Sequence, residues 1–197
     1  MRGGLLLLAC ALWLTAGERL VVSAKNPGGF EATLSFYENQ TLIKTYDAVV
    51  GKNGIAAPGK KREGDGKTPS GTYAITELFG LAEPADATLP FLEIGPELHC
   101  VDDGRSRHYN RIIDSRLIER DYQSHEVMLE PNGLYDLGAV IEYNPEGKPG
   151  AGSCIFLHIA REDGGPTAGC VALQRDDLFE LIDRLKDADN PVIEIRP

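Results

Sequence analysis

Three runs of β-branched and aromatic residues, 20–24, 31–38 and 41–50, follow one another with only short polar breaks, which commits the first quarter of the chain to strands. Asn39-Gln40 is short enough for a hairpin turn. In the third run Leu42, Tyr46, Ala48 and Val50 fall on one face at period two. Further strands are expected at 71–76, introduced by Pro69-Ser70-Gly71, and at 135–143, 154–159 and 192–195. A single helix stands out. Asp176-Asp177 can cap its start, Leu178, Leu181, Ile182 and Leu185 recur at i, i+3, i+4 and i+7, and Asn190-Pro191 ends it. Many strands with one late helix predict a mainly β fold, an antiparallel or mixed sheet such as a sandwich, and not an alternating parallel α/β fold. Residues 80–132 are read as loops and short elements over the sheet, where compact domains often hold substrates.

The first residues read as a targeting segment. Arg2 precedes the apolar run Leu5 to Leu14, and Thr15-Ala16-Gly17 offers small residues for cleavage. The run is too short for the ~20 residues of a membrane span. A signal peptide is therefore expected at 1–17, a single domain at 18–197, and export to the periplasm or cell wall. A buried N-terminal element and a lipoprotein box at Leu7-Leu8-Ala9-Cys10 are the alternatives. With 20 basic and 30 acidic side chains the net charge is −10, which repels nucleic acid and anionic membranes. The local cluster Lys60, Lys61, Arg62 and Lys67 can still hold a small anionic group. Loss of Cys10 with the leader leaves Cys100, Cys154 and Cys170, an odd count that in an oxidising compartment leaves a free thiol. Cys100 and Cys154 are either a disulfide or two buried thiols.

The chemistry concentrates in residues 153–173. An apolar strand ends on His158, a Gly/Pro-rich loop turns back, and Gly169-Cys170 follows twelve residues after the histidine. That spacing allows a hairpin-like return that sets an imidazole beside the sulfur. A thiol of pKa ~8.5 needs such a partner because the thiolate is the attacking species. Gly169, without a side chain, lets backbone N–H groups approach a developing oxyanion.

Phe156-Leu157-His158, then Pro166-Thr167-Ala168-Gly169-Cys170-Val171, a capped helix and the closing Pro191-Val192-Ile193-Glu194-Ile195 together resemble the catalytic signature of the L,D-transpeptidases, the YkuD-like family. Upstream, Thr68-Pro69-Ser70-Gly71-Thr72-Tyr73 is similar to that family's Thr-Pro-x-Gly-x-Tyr/Phe segment, and Tyr109-Asn110-Arg111 and Ser124-His125-Glu126 resemble elements of one branch. The resemblance implies an L,D-transpeptidase-like β-sandwich acting on peptidoglycan stem peptides, without metal or cofactor. It implies Cys170 as nucleophile, His158 as general base and then acid, and Gly169 in the oxyanion site. Tyr109, Arg111, His125, Arg161, Thr167 and Ala168 are the residues expected to line the substrate.

Two departures bear on the reaction. The family often has Ser-His-Gly-Cys, whereas this chain has Thr167-Ala168-Gly169-Cys170, so a second histidine must come from elsewhere, such as His125, or be dispensable. The family also often places an arginine soon after the cysteine, where Val171-Ala172-Leu173 stand here; Arg111, Arg161 and Arg175 are the candidate replacements. The same acyl-enzyme passed to water makes an L,D-carboxypeptidase or a cross-link hydrolase, and a relict site makes a wall-binding module. His99, Cys100, Asp102, Asp103 and His108 match no common zinc spacing, and no oligomeric state is legible.

Overall fold

The computed structural model describes residues 17–197, so Cys10 and all of the expected leader except Gly17 lie outside the described residues. Its elements in chain order are β1 (Glu18–Ala24), β2 (Glu31–Glu38), β3 (Thr41–Val49), β4 (Gly71–Gly80), β5 (Phe91–Glu93), β6 (Leu98–Val101), β7 (Ile112–Asp114), β8 (His125–Val127), β9 (Leu137–Ile141), β10 (Phe156–Ile159), β11 (Val171–Leu173), α1 (Arg175–Leu185) and β12 (Val192–Arg196).

β1, β2 and β3 form the expected antiparallel meander. Asn39 and Gln40 both take positive φ, 46° and 72°, the twist that a two-residue hairpin needs. The period-two face of β3 holds for Tyr46, Ala48 and Val50, all buried, but not for Leu42, which is 52 % exposed. The reason is a register shift between Phe36 and Tyr37 that turns the strand end outward.

The large sheet runs β12-β1-β2-β3-β11-β10-β9-β4-β5, and β12 also pairs with β4. The mainly β fold with one helix is thus the fold observed, and its sheet closes on itself into a barrel-like ring. The sheet is mixed, since β1–β12, β10–β11 and β4–β5 are parallel pairs. Closure removes most of the edges that an open sheet would leave unpaired.

One core fills the ring, with Leu20, Leu34, Phe36, Leu157, Val171 and Ile193 all fully buried. The apolar stripe of α1, Leu178, Leu181, Ile182 and Leu185, joins the same core at 0–1 % exposure. Burying four such side chains is worth roughly 6–12 kcal/mol before entropy is charged against it. Asp176 and Asp177 do not cap this helix. They occupy its first turn, where their charge favours the positive end of the helix dipole, and the N-cap position is Gln174, with no side-chain cap.

Residues 80–132 hold β5 and a separate three-stranded antiparallel sheet, β7-β6-β8. Cys100 on β6 forms a disulfide with Cys154, just before β10, and so ties the small sheet to the barrel wall. Between them lies a second apolar cluster that includes Phe79, Met128, Tyr135, Phe156 and Cys170. No helix among the described residues is long and apolar enough to cross a membrane.

Candidate active site

Alternation along β10 and β11 divides their side chains between two compartments. Leu157, Ile159, Val171 and Leu173 point into the barrel core. Phe156 and Cys170 belong instead to the second cluster, beneath the small sheet. The parallel register sets His158 opposite Ala172. Cys170, two residues earlier, lies level with Phe156, whose N–H donates to its Sγ at 3.4 Å. His158 and Cys170 therefore rise diagonally from the same face of one strand pair.

Cys170 is the free cysteine among the described residues. Its thiol donates to the Cys154 carbonyl at 3.3 Å. Its own carbonyl accepts two hydroxyls, Thr167 at 2.7 Å and Thr68 at 3.1 Å. Burial pushes the thiol well above its ordinary range; the charge of Glu126 adds to the rise, while the Phe156 N–H and Lys61 oppose it. The resting sulfur is a thiol, not a thiolate.

His158 is 6 % exposed, and its Nδ1 lies 2.8 Å from the Ile159 carbonyl. A carbonyl can only accept, so Nδ1 carries the proton and Nε2 keeps its lone pair. Burial pushes the imidazole down to about 4, the Ile159 bond and Glu130 opposing, so at neutral pH it is an uncharged base. The ring of Tyr135 stands edge-on to His158 at 5.2 Å and to Phe156 at 5.7 Å. The Tyr135 hydroxyl donates to Glu126 at 2.5 Å.

The upstream motif acts through its backbone geometry. Asp65 accepts the Lys61 ammonium at 2.6 Å and the N–H groups of Arg62 and Lys67. Thr68, fully buried, accepts the Gly51 N–H at 2.9 Å and donates its hydroxyl to the Cys170 backbone carbonyl. A Cβ on Gly169 would stand 3.1 Å from the Lys67 carbonyl and 3.5 Å from the Lys61 ammonium, so glycine here permits close approach of these two segments. The Gly169 N–H is already donated to the Thr167 hydroxyl at 3.1 Å. In this compact turn the Gly169 donor, expected beside an oxyanion, is therefore occupied by Thr167.

Tyr109, expected at the substrate, is 2 % exposed. Its hydroxyl donates to Glu63, which also accepts from Ser153, and it accepts the Gly152 N–H at 3.1 Å. The adjacent Asn110 accepts the Cys154 N–H at 2.8 Å and donates to the carbonyls of Tyr143 and Asn144. Both residues hold the loop on which the thiol rests. Cys154 itself has φ +53°, an uncommon conformation for a residue with a side chain, and this clamp helps to hold it.

Arg161 is exposed, paired with Asp163 at 3.1 Å, and with Arg175, Gln174, Ile159 and Ala160 lines a cavity of about 770 Å³. His125 stacks on His99 at 4.0 Å and lines a smaller cavity, about 360 Å³, with Glu126, Glu130 and Tyr135. Leu134 and Pro131 border both cavities. Arg111 lines a third cavity, with Asn110, Tyr143 and Glu142. Ala168 is exposed and Thr167 braces Cys170. Cys170 and His158 line none of these three cavities.

Thr68, Glu126, Tyr135 and Cys154 were not singled out as site residues from the sequence, although Thr68 and Glu126 stand inside the segments that carry the resemblance, and Lys61 was read only as part of a basic cluster. Tyr135 had no signal beyond its place at the start of a strand.

No curated protein matches the chain. Among solved structures it is similar to L,D-transpeptidase 1 of Mycobacterium tuberculosis, at 14 % identity over 90 % of this chain and 62 % of that one, TM-score 0.37. It is also similar to an L,D-transpeptidase from Mycobacterium smegmatis, at 14 % identity over 91 % of this chain and 59 % of that one, TM-score 0.40. The chain spans about three fifths of the length of these structures. The family model of the L,D-transpeptidase catalytic domain, YkuD, matches residues 20–193, and the chain belongs to that family.

Proposed function

We propose that this protein is a peptidoglycan L,D-transpeptidase in which Cys170 forms an acyl-enzyme with a stem tetrapeptide and passes the acyl group to an amine. The observation that carries the reading is the anchored His158. Its Nδ1 is committed to Ile159, which leaves Nε2 as the free nitrogen, and the register puts His158 on the same strand-pair face as Cys170. Attack proceeds from the thiol. As sulfur bonds to the carbonyl carbon of the diamino acid's L-centre, the thiol proton moves to His158 Nε2 and the carbonyl electrons move to oxygen. The Cys170 N–H supplies a backbone donor to that oxyanion. Collapse expels the terminal D-residue, whose nitrogen takes the proton back from His158, leaving a thioester. An acceptor amine then attacks the thioester, gives its proton to His158, and the sulfur leaves as the thiol.

The resting protonation states favour this coupled route over a preformed ion pair, because a thiol above its usual range does not ionise against an imidazole at about 4. We assign the stem peptide to the 770 Å³ cavity at the end of β10, where Arg161 and Arg175 offer cations for a carboxylate. Arg111 opens into another cavity and is the weaker replacement for the family's arginine. Pro131 and Leu134, which border both neighbouring cavities, flank the route by which we propose substrate reaches the thiol. Export by the segment 1–17 is part of the proposal, and the Cys100–Cys154 disulfide supports it, since such bonds persist in oxidising compartments.

Incubation with a carbapenem should add one adduct by intact mass, and Cys170→Ala should abolish it; no adduct on folded wild type refutes the acyl-enzyme. With purified muropeptides, accumulating dimers support the transpeptidase. Shortened monomers point to a carboxypeptidase or hydrolase, and binding to sacculi without turnover points to a binding module.

A further inference from the structure

Ala168 stands where the family often has a histidine, and the charges acting on the thiol come from elsewhere in the fold: Glu126 on β8 and Lys61 in the loop before β4. Glu126 is held against the site by two routes. Its carboxylate accepts the Tyr135 hydroxyl at 2.5 Å, and the Tyr135 ring packs on His158 and Phe156 beside Cys170. Through the backbone, Glu126 is the register partner of Cys100, whose disulfide fixes Cys154, the residue whose carbonyl receives the thiol proton. The mechanism above uses neither Glu126 nor Tyr135.

We propose that Glu126 is a positioning residue that sets the charge at the nucleophile: ionised, it keeps the proton on Cys170, and neutralised, it lets the thiol ionise more readily. The inference rests on the reading of Cys170 as nucleophile, yet it concerns thiol ionisation and not turnover. A carboxylate close to a thiol in a poorly solvated site disfavours a second negative charge. The groups that face Glu126 are Tyr135 before β9, Asp102 after β6, Glu63 in the loop before β4, Glu130 after β8 and Cys170 before β11. Lys61 faces the thiol from the opposing loop. Burial pushes the Glu126 carboxyl up to about 7, the Tyr135 bond pulling it down and the neighbouring carboxylates raising it further. Its charge therefore changes near neutrality, well away from His158 at about 4.

The test is the rate of alkylation of Cys170 by iodoacetamide in the oxidised, full-length protein, followed by mass and located by peptide mapping. In wild type the logarithm of the rate should rise with pH at a slope below one across roughly pH 6–8, where ionisation of Glu126 opposes that of the thiol. In Glu126→Gln the slope should be one throughout, with alkylation about ten-fold faster at the upper end, the effect of a shift of one pKa unit. Tyr135→Phe removes the bond that favours the ionised carboxylate, so the flattened window should move to higher pH. A folded Glu126→Gln protein with the wild-type rate and slope overturns the proposal. If that variant fails to fold, a Tyr135→Phe profile superimposing on wild type overturns it equally. Loss of transpeptidation alone would leave these profiles unchanged, so the two readings fail separately.

Discussion

Removing the Cys100–Cys154 disulfide should both loosen the fold and expose the Cys170 thiol. The bridge spans 54 residues of sequence. The chain-entropy relation gives a loop of that length about 14 cal/mol/K, or about 4 kcal/mol at 25 °C, the stabilisation expected from restricting the unfolded chain. For a domain of this size that corresponds to a fall in Tm of roughly 8–16 °C. The perturbation is the double variant Cys100→Ala/Cys154→Ala, which keeps Cys170 as the only thiol of the described residues. Urea unfolding followed by circular dichroism, extrapolated to water, measures the loss of stability, and the slope should rise because the unbridged unfolded chain is more expanded. A second readout belongs to the site. Cys154 at φ +53° is held by its disulfide on one side and the Asn110 amide oxygen on the other, and its carbonyl is the acceptor of the Cys170 proton. Without the bridge the small sheet lifts from β10, the thiol gains solvent, and iodoacetamide should modify it several-fold faster. A double variant within about 1 kcal/mol of wild type would refute the entropic account. Unchanged alkylation in a destabilised variant would show that Asn110 alone suffices to hold the carbonyl.

Thr68→Val removes the hydroxyl that receives the Gly51 N–H and supports the Cys170 carbonyl in a fully buried position. An orphaned buried donor costs about 1–3 kcal/mol, readable as a fall in Tm, and carbapenem acylation should slow because Cys170 loses one of its two carbonyl braces. A melting curve and acylation rate equal to wild type would sink that assignment. The pH dependence of stability should reveal both buried titrating groups. Glu126, raised from 4.5 to about 7 in the fold, gives stability that is fully present below pH 4.5 and is lost as pH rises through 7. His158, lowered from 6.5 to about 4, gives stability that is present above pH 6.5 and is lost as pH falls through 4. Each loss is worth about 3 kcal/mol. Urea midpoints in Glu126→Gln should stop falling between pH 5 and 7; a decline equal to wild type would assign that pH dependence to another group.

The strands and the helix were legible because each is written in local periodicity. The meander β1–β3, its Asn39-Gln40 turn and the stripe of α1 need only nearest neighbours along the chain to be recognised. The family followed from motif order, and the proposal of Cys170 and His158 as the reacting pair came from one short segment. What the local pattern did not contain was contact across the sequence. Leu42 lost its face to a shift in strand register, and the closure of β12 onto β4 joins residues more than a hundred positions apart.

At the site the same division holds. The sequence by itself supplied a candidate nucleophile, a candidate base and the glycine between strand and loop, since the proposed chemistry requires those residue types at short range. Only the tertiary structure decided that Cys100 and Cys154 are bonded, that Tyr109 and Asn110 clamp a loop, and that Gly169 has spent its N–H on Thr167. It also brought Tyr135 into the cluster that holds the thiol, and Glu126 onto Tyr135, from positions distant in sequence. The physical reason is that burial and charge set a thiol's ionisation, and both are properties of what the fold packs around the sulfur, not of its neighbours along the chain.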